Sequence, residues 1–357
     1  MYKFDDIASM NMEELTELVT SRGLPKFRAK QLFSWIHKEL SDSYDEMTNL
    51  PKKMREDLAA EFPLRTLKRV DSRKSSDGST EKFVFELSDG HVIESVLMKY
   101  HHGNSVCVSS QVGCRMGCRF CASTLTGLAR NLLPSEILSQ VYHIQKASGE
   151  RVSNVVIMGT GEPLDNFDGL VRFVELLTDE NGLNISERNI TMSTCGLVPE
   201  IRKLADLKPQ FTLAISLHAP DDEARKRIMP IANKYTISEV IGAADYYFEK
   251  TGRRVSYEYS LIAGENDTRE QALKLVNLLK GKNCHVNLIP VNPIKERNYS
   301  HTGAEGVAAF KNILEKNGIT ATVRREMGAD INAACGQLRK DYMDRKEEER
   351  ERLFSQS

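Results

Sequence analysis

Several absences narrow the problem before any motif is considered. No apolar run in the 357 residues approaches the roughly 20 needed to cross a bilayer, so no membrane span is expected. The opening Met-Tyr-Lys-Phe-Asp-Asp lacks the apolar core and cleavage pattern of a secretory leader, and the chain is expected to be cytoplasmic. Charge of one sign is also lacking. The 49 Lys and Arg against 50 Asp and Glu leave a net −1, which argues against strong non-specific nucleic-acid binding but leaves room for local basic patches. Cysteine is sparse and odd in number, seven in all, which fits no disulfide framework in a chain of this length.

What is present centres on Cys107-Val-Ser-Ser-Gln-Val-Gly-Cys114-Arg-Met-Gly-Cys118-Arg-Phe-Cys121. Three cysteines stand at C-x3-C-x2-C spacing on a Gly-punctuated loop after a β-branched run. Thiolates are soft ligands for iron–sulfur clusters or zinc. A zinc knuckle needs a fourth ligand, and no second C-x2-C or H-x3-H follows Cys121. A [4Fe–4S] cube on three thiolates leaves one iron open to another ligand. Cys114, Cys118 and Cys121 are therefore the expected cluster ligands. A zinc-containing RNA-binding protein without catalysis is the alternative from another class.

The first 65 or so residues have helical spacing, broken at Gly23-Leu-Pro25 and Leu50-Pro51. Each break leads into basic residues, Lys26, Arg28 and Lys30, then Lys52, Lys53 and Arg55. They are either a solvated helix face or a phosphate-contacting surface. Residues 82–87 and 91–98 read as a hairpin turning at Ser88-Asp-Gly90. Glu94 interrupts the face it shares with Val92 and Val96, as an edge carboxylate or as a desolvated base. Beyond about 105, strands expected at 105–110, 154–158, 189–193, 211–216, 256–261 and 285–291 alternate with helices such as 236–251. Their continuous apolar runs suggest strands buried on both faces. A seventh strand is expected at 320–324. This pattern predicts an α/β fold, a partial parallel (β/α)6 barrel behind a small α+β N-terminal domain. The expected divisions are 1–100, 101–340 and a charged tail at 341–357. Polar and Gly-rich turns at the strand ends carry Gly161, Glu162, Ser193, Ser216, Leu217, His218 and Asn292.

The cysteine spacing resembles the radical S-adenosylmethionine superfamily. More closely, Ser109-Ser-Gln-Val-Gly-Cys, Met158-Gly-Thr-Gly-Glu-Pro-Leu, Ala214-Ile-Ser-Leu-His-Ala-Pro, His285-Val-Asn-Leu-Ile-Pro-Val-Asn and Asp330-Ile-Asn-Ala-Ala-Cys-Gly-Gln-Leu resemble RNA adenine methyltransferases of the RlmN/Cfr type. The resemblance spans about 25–340. It implies a [4Fe–4S] cluster and two S-adenosylmethionines per turnover, bound at Gly161, Glu162, Ser193, Ser216–His218 and Asn292. It further implies that Cys335 carries the methyl group, that Cys107 resolves it through a transient disulfide, and that Glu94 accepts the proton from the adenine. The bland readings are a small buried thiol for Cys335 and a core thiol for Cys107. Glu162-Pro163 is similar to the branch that methylates C2; methylation of C8 is the alternative. Implied substrates are an adenosine near the peptidyl transferase centre of 23S rRNA and the adenosine 3′ of the anticodon in certain tRNAs. A flavodoxin-type electron donor and a monomeric enzyme are also expected. Cys195 and Cys284 receive no role.

Overall fold

A computed structural model describes residues 6–64, 67–291, 299–325, 328–331 and 342. Three helices come first, α1 (Met12–Ser21), α2 (Phe27–His37) and α3 (Lys52–Glu61). Then come β1 (Lys68–Lys74), β2 (Thr80–Glu86), β3 (Val92–Tyr100) and β4 (Gly103–Cys107), followed by a two-stranded hairpin, β5 (Gln111–Gly113) and β6 (Leu128–Asn131). The alternating region comprises α4 (Pro134–Ser148), β7 (Val152–Ile157), α5 (Phe167–Thr178), β8 (Ile190–Thr194), α6 (Val198–Asp206) and β9 (Thr212–Ser216). It continues through α7 (Asp222–Ile228), α8 (Ile237–Thr251), β10 (Val255–Leu261), α9 (Arg269–Leu279), β11 (Cys284–Pro290), α10 (Ala304–Lys316) and β12 (Ala321–Val323).

Local chemistry sets the helix ends. Thr236 caps α8 by accepting from the Glu239 amide while Glu239 accepts from Thr236, and the helix stops at Gly252. Thr268 with Gln271 and Asn11 with Glu14 make the same reciprocal cap on α9 and α1.

The strands of the described residues form one sheet in the order β1-β2-β3-β4-β7-β8-β9-β10-β11-β12, with β5 and β6 apart. The run from β4 to β12 is parallel; β1 to β4 are mutually antiparallel. The partial parallel barrel is thus present, and the strand expected near 320 is its seventh. β4 and β12 stand at opposite ends of this order, six strand spacings apart, roughly 29 Å were the sheet flat. Yet Arg324, just past β12, lines one cavity with Val156 of β7, the residue paired with Cys107 of β4. The sheet must therefore curl round a lumen.

Its two faces differ. Val155, Ile157, Ile190, Met192, Leu213, Ile215, Tyr257, Tyr259, Val286 and Leu288 point outward and are buried in the main core. Each such side chain contributes roughly 1.5–3 kcal/mol over exposure. Alternate positions are largely polar: Thr191, Ser193, Thr212, Ser216, Ser256, Glu258, His285 and Asn287. The strands were expected to be buried on both faces, and the inner face is partly so, Ser193, Ala214 and Glu258 being buried, but its side chains are mostly polar. Only the helix-covered side is apolar, because a partial barrel keeps its inner face for ligands rather than for packing.

The hairpin expected at 82–98 forms, closed by the Leu87 amide on the His91 carbonyl at 2.8 Å. β1 was not anticipated. It holds one apolar residue, Val70, as suits a charged edge strand. Residue 100, where a domain border was expected, ends β3, which pairs with β4 in the same sheet. The helices before it dock elsewhere, on α4 and α5. Arg172 of α5 donates to the Ser9 carbonyl at 2.9 Å and pairs with Glu14, and His37 meets the Tyr142 hydroxyl at 2.8 Å. Two of the basic residues in this region are tied internally: Arg28 donates to the Asn49 carbonyl at 2.8 Å and Arg55 to the Asp45 carbonyl at 3.0 Å. Lys26, Lys30, Lys52 and Lys53 remain exposed.

Candidate active site

Cys114, Cys118 and Cys121 lie on the segment joining β5 to β6. Gly113 starts this loop at φ +77°, and a Cβ there would stand 1.9 Å from the Gly127 carbonyl oxygen. That oxygen instead accepts from the Cys114 amide at 2.9 Å, so only glycine fits. The Cys121 amide returns to the Cys118 carbonyl at 3.2 Å, Thr124 Oγ1 donates to the carbonyls of Cys118 and Cys121, and the Arg119 amide donates to the Ile228 carbonyl at the end of α7. Burial pushes all three thiols up, Cys114 to about 12. The negative fields of Cys121 and Cys114 raise Cys118 further. Among the described residues, no three His, Cys, Asp or Glu groups converge as the ligands of a single ion. A cube gives each thiolate its own iron, so three separated soft donors fit it.

The rim facing this loop is hydrogen-bonded through. The Ser110 and Gln111 amides donate to the Thr160 carbonyl, and Gln111 Oε1 accepts from the Glu162 amide at 2.8 Å. Gly161, at φ +116°, comes so close to Ser110 and Gln111 that a Cβ would lie 2.7 Å from each. The Glu162 carboxylate is buried and engaged, accepting from the Cys195 amide at 2.7 Å and the Leu164 amide at 3.1 Å. Burial pushes it upward in pKa, against those donors. Ser193 and Ser216 hydroxyls meet at 3.2 Å, and the Leu217 and His218 amides both donate to the Glu258 carbonyl. Leu217's side chain is core. His218 sits at φ +55°, and its Nδ1 accepts from the Ser260 amide at 2.9 Å, placing the ring proton on Nε2. Burial and Arg225 lower its pKa to about 3, so it stays neutral. Its ring meets Phe120 edge-on at 4.8 Å, seating the cysteine loop on the end of β9. Gly161, Glu162, Ser193, Ser216, Leu217 and His218 thus gather at the C-terminal ends of β7 to β9. Asn292 lies outside the described residues.

Inside the barrel is a cavity of about 670 Å³ whose lining includes Met158, Glu258, His285 and Arg324. Cys107, half-buried, faces this side, since it stands opposite Val156 of β7 and Val96 of β3. Burial raises its thiol; Arg324 and Lys82 act the other way. Glu94, two residues from Val96, shares the face and is 3% exposed. Its carbonyl accepts from Ser109 Oγ at 2.7 Å, and that hydroxyl also accepts from the Thr160 amide at 3.0 Å. One serine therefore joins the strand of Glu94 to the rim. Cys335 lies outside the described residues. Before it, Asp330 accepts from the Ser76 amide at 2.8 Å; after it, Tyr342 packs on Val84 and Val92.

Three residues escaped the sequence reading. Glu258 is buried, takes a hydrogen bond from Ser193 at 3.4 Å, and is pushed up by burial. The alternation in Ser256-Tyr-Glu-Tyr-Ser was the available signal. Arg225 is fully buried, donating to the Cys195 carbonyl at 2.6 Å and the Leu217 carbonyl at 3.2 Å. Lys82, 0% exposed, pairs with Glu94 at 3.1 Å. A lysine in a short strand gives no sequence hint of burial.

Residues 6–63 match the family model described as ribosomal RNA large subunit methyltransferase N-terminal domain, and 108–276 match that of the radical SAM superfamily. The probable dual-specificity RNA methyltransferase RlmN of Lachnospira eligens is 62% identical over 339 residues, covering 95% of this chain and 97% of its own. The chain belongs to the RlmN family of radical SAM RNA methyltransferases. The RlmN of Lachnoclostridium phytofermentans is 60% identical over 95% of this chain and 96% of its own. A crystal structure of a radical SAM methyltransferase from Sphaerobacter thermophilus superposes with a TM-score of 0.89 at 44% identity, over 93% of this chain and 98% of that one. Lys82, Glu94 and Cys107 fall between the two matched segments, on strands β2, β3 and β4. Among the described residues, no helix is long and apolar enough to cross a membrane.

Proposed function

We propose that this enzyme methylates C2 of an adenosine near the peptidyl transferase centre of 23S rRNA, and of the adenosine 3′ of the anticodon in certain tRNAs. The observation that carries this reading is the gathering of Cys107 and Glu94 on one lumen face behind a rim that holds the three-cysteine loop. Cys114, Cys118 and Cys121 would hold the [4Fe–4S] cluster, and Gly161, Glu162, Ser193, Ser216, Leu217, His218 and Asn292 would hold S-adenosylmethionine, two per turnover. When bound, the pair supplies one-electron cleavage of the sulfonium and hence a hydrogen-abstracting radical.

The chain's own work is divided among three residues. Cys335 accepts the methyl group on sulfur and presents it to the base. Glu94 takes the C2 proton. Cys107 then attacks the Cys335 sulfur, a disulfide forms as the bond from that sulfur to the transferred carbon breaks, and the carbon takes a proton, which frees the methylated RNA. The adenine must leave its stack to enter the lumen. Glu162-Pro163 supports C2 over C8 by resemblance. A flavodoxin-type protein is the proposed electron donor, and the enzyme is proposed to act as a monomer in the cytoplasm.

The test is anaerobic reconstitution with an rRNA fragment, with the RNA digested and read by mass spectrometry. The parent should be brown, contain iron and sulfide, and yield 2-methyladenosine. Cys335→Ala should yield none, and Cys107→Ala should leave RNA covalently attached to protein. Methylation by Cys335→Ala sinks the scheme; 8-methyladenosine moves the enzyme to the other branch; a colourless zinc protein removes the cluster.

A further inference from the structure

We propose that Lys82 is a positioning residue for the proton-accepting step, its sealed ammonium holding the Glu94 side chain as a carboxylate on the lumen face beside Cys107. This rests on the role of Glu94 given above. Lys82 is 0% and Glu94 3% exposed, and Nζ stands 3.1 Å from Oε2. An ammonium so thoroughly removed from water persists only with a charged partner. On its own face the neighbours Val84 and Val92 are apolar and buried, so packing alone gives no reason for a lysine there.

Register places the three groups. Lys82 stands opposite Val96, and Val96 opposite Cys107, so one row crosses β2, β3 and β4. Lys82 and Cys107 are two strand spacings apart, roughly 10 Å, and Glu94 lies one step along the same face. Asp71 and Arg73 of β1 share that face through their pairing with Val84 and Lys82. Glu258 and Arg324 face Cys107 across the lumen.

Among the described residues the other buried carboxylates of the site have no ion pair within 4 Å. Glu162 is held by backbone amides and by the side chains of Thr194 and Cys195, Glu258 feels the charge of Arg324 and is bonded by Asn287 and Ser193, and burial still pushes both upward. A carboxylate kept protonated cannot accept a proton. An opposite charge within 4 Å favours the ionised form. In the step itself the proton leaves adenine C2 for a Glu94 oxygen, Lys82 stays protonated throughout, and neither residue exchanges electrons.

The test uses the full-length, cluster-reconstituted enzyme with Lys82→Met, Lys82→Arg and Glu94→Gln. Methylation of Cys335, read by protein mass, precedes the use of Glu94 and should proceed at the parental rate in all three. Formation of methyladenosine by Lys82→Met should fall at least about tenfold at neutral pH, the loss expected once the unpaired buried carboxyl titrates one pKa unit or more above the assay pH. Its acid limb should move to higher pH, so that activity recovers as pH rises. Lys82→Arg should keep the parental profile, and Glu94→Gln should recover at no pH. A parental rate and profile in Lys82→Met overturns the proposal. So does a loss that no pH restores while Cys335 is still methylated. If Lys82→Met fails to fold, Lys82→Arg decides: a parental profile supports the proposal and a shifted one overturns it. A parent enzyme that makes no methyladenosine fails the underlying reading instead, whatever Lys82 does.

Discussion

The two faces of the barrel sheet are made by the same strands, residue by residue, and obey different rules. Outside, Leu213, Ile215, Tyr257 and Tyr259 are sealed beneath helices. Inside, their neighbours Thr212, Ser256 and Glu258 keep hydroxyls and a carboxylate around a cavity. The outer face contributes stability in proportion to apolar area removed from water. The inner face gains little that way, and in the case of Glu258 it carries a cost. Holding the fold and holding the chemistry are thus separated by the period-two geometry of a strand.

Substitutions on each face break or sharpen that contrast. The largest effect belongs outside. Leu213→Ala removes a fully buried side chain and should lower unfolding free energy by about 2–5 kcal/mol, read from denaturant midpoints. A loss no larger than that of an inner-face hydroxyl would refute the division.

Next comes Glu258→Gln, whose signature is pH dependence. The folded pKa of Glu258 lies above its ordinary 4.5, chiefly through burial. Between the two values the folded protein keeps a proton that the unfolded chain has lost. Stability therefore falls as pH rises through that window and levels off above it. The glutamine variant should lack that part of the slope, so its stability relative to the parent should be higher at pH 8 than at pH 4. An unchanged slope would show that Glu258 is no strained acid.

The smallest effect is expected from Ser256→Ala, which removes one hydrogen bond to His285 Nδ1 at 3.2 Å. The loss should be about 0.5–1.5 kcal/mol by thermal unfolding. A larger one would mean that the inner wall carries fold stability after all.

Much of this was legible along the chain. The cysteine spacing, the glycine opening its loop and the cap of α8 are all short-range features. The barrel was readable too, because strand and helix periodicities differ. The polarity of the lumen was written in Ile-Thr-Met-Ser-Thr and Ser-Tyr-Glu-Tyr-Ser but was masked by the β-branched residues among them. β1 was hidden by its charges, which suit an edge strand as well as a loop. Arg225 was unreadable: in sequence it is one of several charges on a short helix, and only the fold brings the Cys195 and Leu217 carbonyls to its guanidinium.

By itself, then, the sequence determined the three-thiol loop, the order of strands and helices, and the family to which the chain belongs. These depend on spacings of a few residues, where local sterics and ligand chemistry leave little choice. Tertiary structure alone decided that Lys82 meets Glu94, that both share a face with Cys107, and that Arg324 comes round to the first parallel strand. Those meetings depend on strand register and on the curl of the sheet, which arise from packing over the whole outer face.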